Sequence, residues 1–253
     1  MPHISLAAEI VTRIAGFPIT NALITTWLVM GILIVASFVA TRKMKLVPTP
    51  MQSLAEMLVG GLYDFFGSVT GKYVTQVFPL VASLFIFILV ANWVGLLPGV
   101  GTVGIFQEAE FVPILRAATA DLNTTVALAI FSMVAIQYYG FKVSGIHYGK
   151  RFVNVGNPIH FFVGILELVS EASKVISFAF RLFGNIFAGE VLLTVMAFLM
   201  PFVVPLPFLA MELFVGFIQA LVFSMLTAVF LTVAVAHGEH EKILAEGGGL
   251  HHG

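Results

Sequence analysis

The chain has 253 residues, of which 59% are hydrophobic and only 10% are charged, and its formal net charge is −1. Its mean hydropathy is +1.04. Soluble domains carry about 25% charged residues, so the composition excludes an ordinary soluble protein and predicts an all-α polytopic membrane protein. The absence of cysteine excludes disulfides and thiolate metal sites. No basic run indicates nucleic-acid binding.

Apolar runs and the breaks between them predict about five membrane helices and one interfacial amphipathic helix. A run of about 20 apolar residues is long enough to cross the hydrocarbon core. The predicted elements are an outer N-terminal arm (1–21), span 1 (22–41), the interfacial helix (51–74), span 2 (77–97), span 3 (122–141), two long apolar stretches (159–200 and 202–237) and a cytoplasmic tail (238–253). Asp121 and Asn123 precede or open span 3 and are interpreted as helix N-caps.

The distribution of cations predicts the topology of these spans. Of the 12 Lys and Arg residues, Arg13 and Arg116 fall in segments predicted to lie outside, and Lys174 and Arg181 are intramembrane. The other eight fall in segments predicted to be cytoplasmic: Arg42, Lys43, Lys45, Lys72, Lys142, Lys150, Arg151 and Lys242. Because cytoplasmic loops carry the excess of Lys and Arg, we expect the N-terminus outside and the C-terminus in the cytoplasm.

The two long apolar stretches are too long to stand upright in a membrane. As helices, 159–200 and 202–237 would be about 60 Å and about 50 Å long, whereas the hydrocarbon core is about 30 Å thick. Either each stretch breaks into re-entrant halves, or both form a steeply tilted hairpin. Prolines cluster at the junction between them and not inside them, which favours the tilted hairpin. Such a tilt requires a partner surface.

The stretch 167–190 carries ionisable and polar residues within this apolar background. On an ideal helix, several of these residues lie within about 40° of Arg181, whereas Glu190 lies about 180° away. The residues on that face are Glu167, Ser170, Lys174, Ser177 and Asn185. In a purely structural interpretation, the stretch is an amphipathic helix in a soluble core, or its charges form buried ion pairs such as Glu171 with Lys174. Intramembrane ionisable groups instead indicate a functional site.

The last apolar stretch supplies further polar residues. Glu212 and Gln219 are seven residues apart and therefore share one helix face. We expect Glu190 and Glu212 to line one aqueous pocket open to the outside. Arg181 keeps its proton at all accessible pH values and would separate this pocket from the polar face on its other side. A proton would then need a mobile carrier to pass from one region to the other.

The run RLFGNIFAGE at 181–190, preceded by SKVISFAF, resembles subunit a of F-type ATP synthases in its bacterial form. Glu212, Gln219 and the TADLNTT run at span 3 extend the likeness over most of the chain. The resemblance implies a stator subunit that couples proton flow to ATP synthesis in the bacterial inner membrane. It also implies a rotating c-subunit ring, peripheral-stalk b subunits, other ATP synthase subunits and lipids as partners. The subunit would be non-catalytic and would need no cofactor, the proton being the translocated ion.

The resemblance also implies roles for individual residues. Arg181 matches the essential arginine of the family, and Asp121, Asn123, Glu171 and Lys174 would have supporting roles. The outer proton path would comprise Asn185, Glu190, Glu212 and Gln219, and the inner path Glu167, Ser170, Ser173 and Ser177. Glu212 stands where some relatives have histidine. Because two nearby carboxylates can share a proton, Glu190 and Glu212 are predicted to titrate as a coupled pair.

Three other classes of protein were compared with these features. An ion-coupled secondary transporter remains the alternative, although internal repeats typical of such proteins are not evident. An intramembrane hydrolase would need an HExxH or GxSxG pattern, and neither occurs. A structural anchor would not explain Arg181. Four tail histidines lack the spacing of a zinc-protease helix, so no metal is expected: His237, His240, His251 and His252.

Overall fold

The structure is a computed structural model. It describes residues 8–14, 16–42, 44–45, 48–97, 100, 104–107, 110–145, 148, 158–200 and 204–247. In chain order, its helices are α1 (Asn21–Thr41), α2 (Pro50–Thr70), α3 (Val74–Gly95), α4 (Leu122–Ser144), α5 (Pro158–Leu199) and α6 (Pro205–Gly247). Among the described residues, four short strands form two hairpins: β1 (Ile10–Ile14) with β2 (Phe17–Thr20), and β3 (Gly104–Gln107) with β4 (Glu110–Pro113).

Five helical stretches are long and apolar enough to cross a membrane, so the predicted all-α polytopic class is confirmed. The stretches are Asn21–Thr41, Pro50–Gly95, Leu122–Val143, Phe161–Leu199 and Pro205–Ala236. The second of them combines α2 and α3, which a short 3₁₀ turn at Gly71–Tyr73 joins. The helix predicted over 51–74 therefore ends at Thr70, and the helix predicted to begin at residue 77 begins at Val74.

The two long helices are continuous over 42 residues in α5 and 43 residues in α6. Their lengths are about 63 Å and about 65 Å at 1.5 Å per residue, roughly twice the hydrocarbon thickness. Neither helix contains the break that re-entrant halves would require. Helix α6 continues past His237 to Gly247, where the sequence predicted a tail. The segment that follows His237 contains Glu, Lys, Leu and Ala, which all have good helix propensity.

The N-terminal arm contains an antiparallel hairpin instead of a simple amphipathic segment. The strands pair from Ile10 opposite Thr20 to Ile14 opposite Phe17. β-branched residues favour the extended conformation of these strands. In the turn between them, Gly16 has φ of 83°, a conformation that favours glycine. The predicted outer loop likewise contains the β3–β4 hairpin and a 3₁₀ turn at Ala118–Ala120.

The main core lies between α3, α4, α5 and α6. Large side chains from three of these helices are fully buried there, including Ile88, Leu182 and Leu231. A smaller cluster of Val29, Ala91 and Ala118 attaches α1 to α3 and to the 3₁₀ turn. In lipid, van der Waals packing and interhelical hydrogen bonds hold such helices together, because the lipid tails are themselves apolar.

Hydrogen bonds from α3 fix the position of α6 at one end of the bundle. Asn92, which is 1% exposed, donates from Nδ2 to the carbonyl oxygen of Gly216 at 2.9 Å. Its Oδ1 accepts from the hydroxyl of Thr119 at 2.6 Å. Trp93 donates from Nε1 to the carbonyl oxygen of Leu213 at 3.1 Å. The end of the bundle where α1 begins and α3 ends is called the outer end below, after the predicted topology.

Candidate functional site

Arg181 lies on α5 with its side chain exposed. Its Nη2 donates to the hydroxyl oxygen of Ser177 at 3.2 Å, one helical turn away. No salt bridge to Arg181 is present within the described part of the chain. The helix thus presents a permanent positive charge on a surface that none of its own carboxylates neutralises.

The exposed side of α5 around Arg181 forms one continuous face, which we call the arginine face. Its small and polar members are Ser170, Ser173, Ser177, Arg181, Gly184, Asn185 and Ala188, all exposed. The opposite side of the same helix is buried in the core through Phe178, Ala179, Leu182 and Ile186. Of the predicted polar face, Glu167 and Lys174 are only partly exposed. Three residues of the predicted polar face therefore share this face with Arg181: Ser170, Ser177 and Asn185. Ser173, named for the inner path, lies there as well.

Asn185 connects the arginine face to α6. Its Nδ2 donates to Oε1 of Gln219 at 2.7 Å, although the two residues are far apart in sequence. Gln219 is only 4% exposed, and its Nε2 has no hydrogen-bond partner among the described residues. The amide pair therefore runs from the exposed face into the space between the two long helices. One buried donor there remains available to water or to another group.

Glu190 is held by Arg116 at the outer end. Nε of Arg116 lies 3.2 Å from Oε1 of Glu190, and both Nε and Nη2 donate to Oε2 at 3.3 Å. The side chain of Arg116 is 8% exposed and that of Glu190 is 34% exposed. The backbone N–H of Arg116 donates to Oγ1 of Thr25 at 3.2 Å, which fixes this segment against α1.

The sequence analysis missed this role of Arg116, which it used only as a cation of the outer loop. The residue lies 74 positions from Glu190, so no local periodicity relates the two. One signal was available: Arg116 is the single Lys or Arg between residues 98 and 120. An isolated cation close to a membrane with an intramembrane acid indicates an ion pair.

Glu212 is 3% exposed and lies between the two long helices. Its carboxyl group occupies the space in which a Cβ on Gly189 would lie, so only glycine fits at residue 189 without a shift. Oε1 of Glu212 has no hydrogen-bond partner in the described ranges. Glu212 therefore contacts the residue next to Glu190. No hydrogen bond between the described atoms joins the two acids directly, and the shared-proton pair stays a prediction.

Glu171 and Lys174 form the ion pair that the structural interpretation anticipated. Nζ of Lys174 lies 2.7 Å from Oε1 of Glu171 and 4.6 Å from the ring centroid of Phe230 on α6. Oε2 of Glu171 is buried and has no described hydrogen-bond partner. The pair thus contacts α6 through Lys174. On the same segment, Ser173 donates to the carbonyl oxygen of Val169 at 2.8 Å.

Asp121 is the N-cap of α4, where its side chain accepts from the backbone N–H of Asn123 at 3.2 Å. Asn123 is the second helical residue and donates its Nδ2 to the same oxygen at 3.3 Å. Only Asp121 therefore caps the helix, and Asn123 supports it. No group of three or more His, Cys, Asp or Glu residues that would suit a metal ion occurs among the described residues. The side chains of the tail histidines lie outside that description.

Comparison with known proteins adds an independent finding. The family model described as ATP synthase A chain matches residues 23–232, which include the arginine face, Glu190, Glu212 and Gln219. ATP synthase subunit a of Trichlorobacter lovleyi is 38% identical over 214 residues, covering 83% of this chain and 85% of that protein. Subunit a of Geotalea daltonii is 36% identical over 221 residues (86% and 89%), and that of Geobacter sp. is 37% identical over 220 residues (86% and 88%).

These matches and the five membrane-spanning helices agree on one assignment. They indicate a multi-pass membrane subunit of a proton-translocating ATP synthase, which works together with the other subunits of that complex. The chain belongs to the ATP synthase A chain family.

Proposed function

We propose that this chain is the stator subunit of the rotary proton motor and that Arg181 separates two offset aqueous half-channels. The observation that carries this proposal is the exposed arginine face of α5, with Arg181 in a membrane-spanning helix. Its guanidinium is a permanent cation. A permanent charge exposed to lipid is costly, so a partner must cover this face.

The partner that fits is a ring of c subunits, each with one ion-binding carboxylate. A carboxylate that passes Arg181 loses its proton, because the adjacent positive charge favours the ionised form. The same charge blocks proton leakage between the half-channels. The small residues beside Arg181, among them Gly184 and Ala188, allow a partner helix to approach closely.

The polar residues on either side of Arg181 supply the two half-channels. The outer path comprises Asn185, Gln219, Glu212 and Glu190, which bridge the space between the two long helices. The inner path comprises Glu167, Ser170, Ser173 and Ser177 toward the start of α5. Protons enter by one path, ride on the ring and leave by the other, which couples proton flow to ATP synthesis.

The proposal also covers the arrangement in the membrane. Helices of about 63 Å and about 65 Å fit the bilayer when they lie tilted along the curved side of a ring. The N-terminus lies outside and the C-terminus in the cytoplasm of a bacterial inner membrane, and peripheral-stalk b subunits and lipids cover other surfaces. The subunit itself catalyses no covalent reaction and needs no cofactor, since the ring carries the proton.

The test is Arg181→Ala in the assembled complex. We expect ATP-driven proton pumping into vesicles to be abolished, because the ring carboxylate no longer releases its proton at the stator. The matched control is Arg42→Ala, which removes an exposed cation that follows α1 and stacks on Phe38 at 5.7 Å. Copurification of the other subunits measures assembly, which both variants should retain.

Pumping at the wild-type rate by Arg181→Ala would contradict the proposal. Proton flux coupled to a solute in vesicles that contain this chain alone would favour the transporter instead. Passive flux that needs both the chain and the ring would support the stator function and place the carrier on the ring.

A further inference from the structure

The N-terminal hairpin brings a third acid to the outer end. Glu9 directly precedes β1, and its carbonyl oxygen accepts from the backbone N–H of Asn21, the first residue of α1, at 3.1 Å. The side chain of Asn21 donates in turn to the carbonyl oxygen of Pro113 at 3.3 Å. Glu9 is therefore held at the start of α1, where Asn21 also contacts the segment that leads to Arg116.

The same segment holds Glu190. One turn after Asn21, Thr25 accepts the backbone N–H of Arg116, and the guanidinium of Arg116 pairs with Glu190. Glu9, bound through its carbonyl to Asn21, and Arg116, bound through its backbone to Thr25, are thus held at adjacent turns of α1. Among the described residues, the charged groups near this end are Glu9 from the N-terminal arm, Arg116 from the outer segment and Glu190 from α5, with Glu212 of α6 against the neighbouring Gly189.

The carboxyl group of Glu9 is incompletely satisfied by the described residues. Its residue is partly exposed, yet Oε2 is buried without a hydrogen-bond partner among the described residues. A buried carboxylate oxygen without a donor is costly unless it takes up a proton or a water molecule. The side chain of Glu190 is 34% exposed, so water can reach the space between the two acids.

We propose that Glu9 is the proton-collecting residue at the entrance of the outer half-channel and passes protons to Glu190. The step is a simple transfer. The Glu9 carboxylate accepts a proton from external water, the proton moves to the Glu190 carboxylate directly or through water, and Glu9 returns to its ionised form. Arg116 keeps its charge and orients Glu190 throughout. This inference rests on the proposed half-channel function.

The test compares Glu9→Gln with Arg13→Gln in the assembled membrane sector in vesicles. Glutamine keeps the shape and polarity of Glu9 but cannot carry a proton, and Arg13 is an exposed charge of the same hairpin. The measurement is the passive proton flux from the outer side at external pH values from about 6 to about 8. Carboxylates of ordinary pKa stay ionised throughout this range. A collecting residue matters most when protons are scarce.

We expect Glu9→Gln to reduce the flux at the higher pH, where protons are scarce and collection limits the rate, and to reduce it much less at the lower pH. Glu9→Asp should restore most of the flux, because it restores the titratable group. Arg13→Gln should follow the wild-type profile. A merely structural role would lower the flux equally at both pH values and reduce the amount of assembled complex.

Wild-type flux by Glu9→Gln at the higher pH, or an equal loss at both pH values, would overturn this inference. A failure of this inference can be distinguished from a failure of the proposed function. If Arg181→Ala abolishes pumping while Glu9→Gln changes nothing, the stator function stands and protons enter without Glu9. If Arg181→Ala pumps normally, the proposed function itself fails.

Discussion

At the level of single residues, the two outer acids have different surroundings although they lie close together. Glu190 faces Arg116 and is partly open to water, whereas Glu212 is enclosed between helices with one unpaired oxygen. An ion pair stabilises the charge of Glu190, and removing one partner of a pair that is largely buried leaves the other charge uncompensated. In the proposed outer path, Glu190 would be the acid nearer the water and Glu212 the acid nearer Gln219.

Gly189 leaves the space that the carboxyl group of Glu212 occupies. For Gly189→Ala we expect a large loss of proton flux, because the new methyl group would occupy the space of the Glu212 carboxyl group and displace it. The cost of such overpacking is about 1–3 kcal/mol, small enough for the helices to remain folded. In Gly189→Ala, the passive proton flux should therefore fall, while the amount of assembled membrane sector should remain that of the wild type.

Two further variants make this prediction specific. Gly31→Ala on α1 is the matched control, since a Cβ there would meet nothing within 4 Å, and its flux should equal that of the wild type. Combining Gly189→Ala with Glu212→Asp shortens the acid by one methylene and should recover part of the flux. Normal flux by Gly189→Ala alone would show that the position of Glu212 does not matter for conduction.

The site residues differ in how far the sequence could predict them. Helical periodicity relates Ser170, Ser177 and Asn185 to Arg181, because all four belong to one helix and repeat at its period. No such rule relates Arg116 to Glu190 or Gly189 to Glu212. Those contacts depend on how separate elements pack, which a periodic pattern does not encode. The spacing of Glu171 and Lys174 already indicated their ion pair, but the structure was needed to show that Lys174 also lies against Phe230 of α6.

At the level of elements, helix α3 anchors the beginning of α6. Asn92 accepts one hydrogen bond and donates another, and it thereby joins α3, the 3₁₀ turn at Ala118–Ala120 and α6 in one buried network. Gly216, whose carbonyl oxygen accepts from Asn92, lies midway between Glu212 and Gln219 on α6. The network therefore sets the depth and rotation at which α6 presents both residues to α5.

We predict that Asn92→Leu destabilises the assembled sector, because the hydroxyl of Thr119 and the carbonyl of Gly216 both lose their partner. Leaving buried polar groups unsatisfied costs about 1–3 kcal/mol. The measurement is the midpoint of thermal unfolding of the purified sector. Trp93→Phe is the matched control, because it removes only the exposed hydrogen bond to Leu213 and should lower the midpoint much less. Equal effects of the two variants would contradict an anchoring role for Asn92.

The elements themselves were predictable where one physical rule dominates. Long apolar runs predicted the membrane-spanning stretches to within a few residues, because a helix that crosses the hydrocarbon core needs about 20 predominantly apolar residues. The two β-hairpins were not predicted, since their strands have only four or five residues and give a weak alternating pattern. The extension of α6 to Gly247 was not predicted either. This segment is polar, so hydropathy does not identify it as a helix, and only its helix propensity favours one.

At the level of the whole molecule, the orientation in the membrane is a prediction that follows from the cations alone. The chain has no cysteine, so single cysteines can be introduced without removing native ones. Thr12 on β1 and Lys45 after α1 are both exposed and lie on opposite sides of the first membrane helix. We expect a membrane-impermeant thiol reagent added to intact cells to label Thr12→Cys and to leave Lys45→Cys unlabelled.

Both sites should react once the membrane is permeabilised, which controls for accessibility of the thiol itself. If Lys45→Cys is unlabelled in intact cells but reacts after permeabilisation, the missing label shows on which side of the membrane residue 45 lies and not that it is buried. The opposite labelling pattern would reverse the topology, and with it the assignment of Glu9, Glu190 and Arg116 to the outer side. In that case the half-channel they line would open to the cytoplasm. Glu9, Glu190 and Arg116 would then lie on the side where protons leave, not on the side where the present proposal has them enter. The hydrogen bonds of these residues do not by themselves set the direction of proton flow.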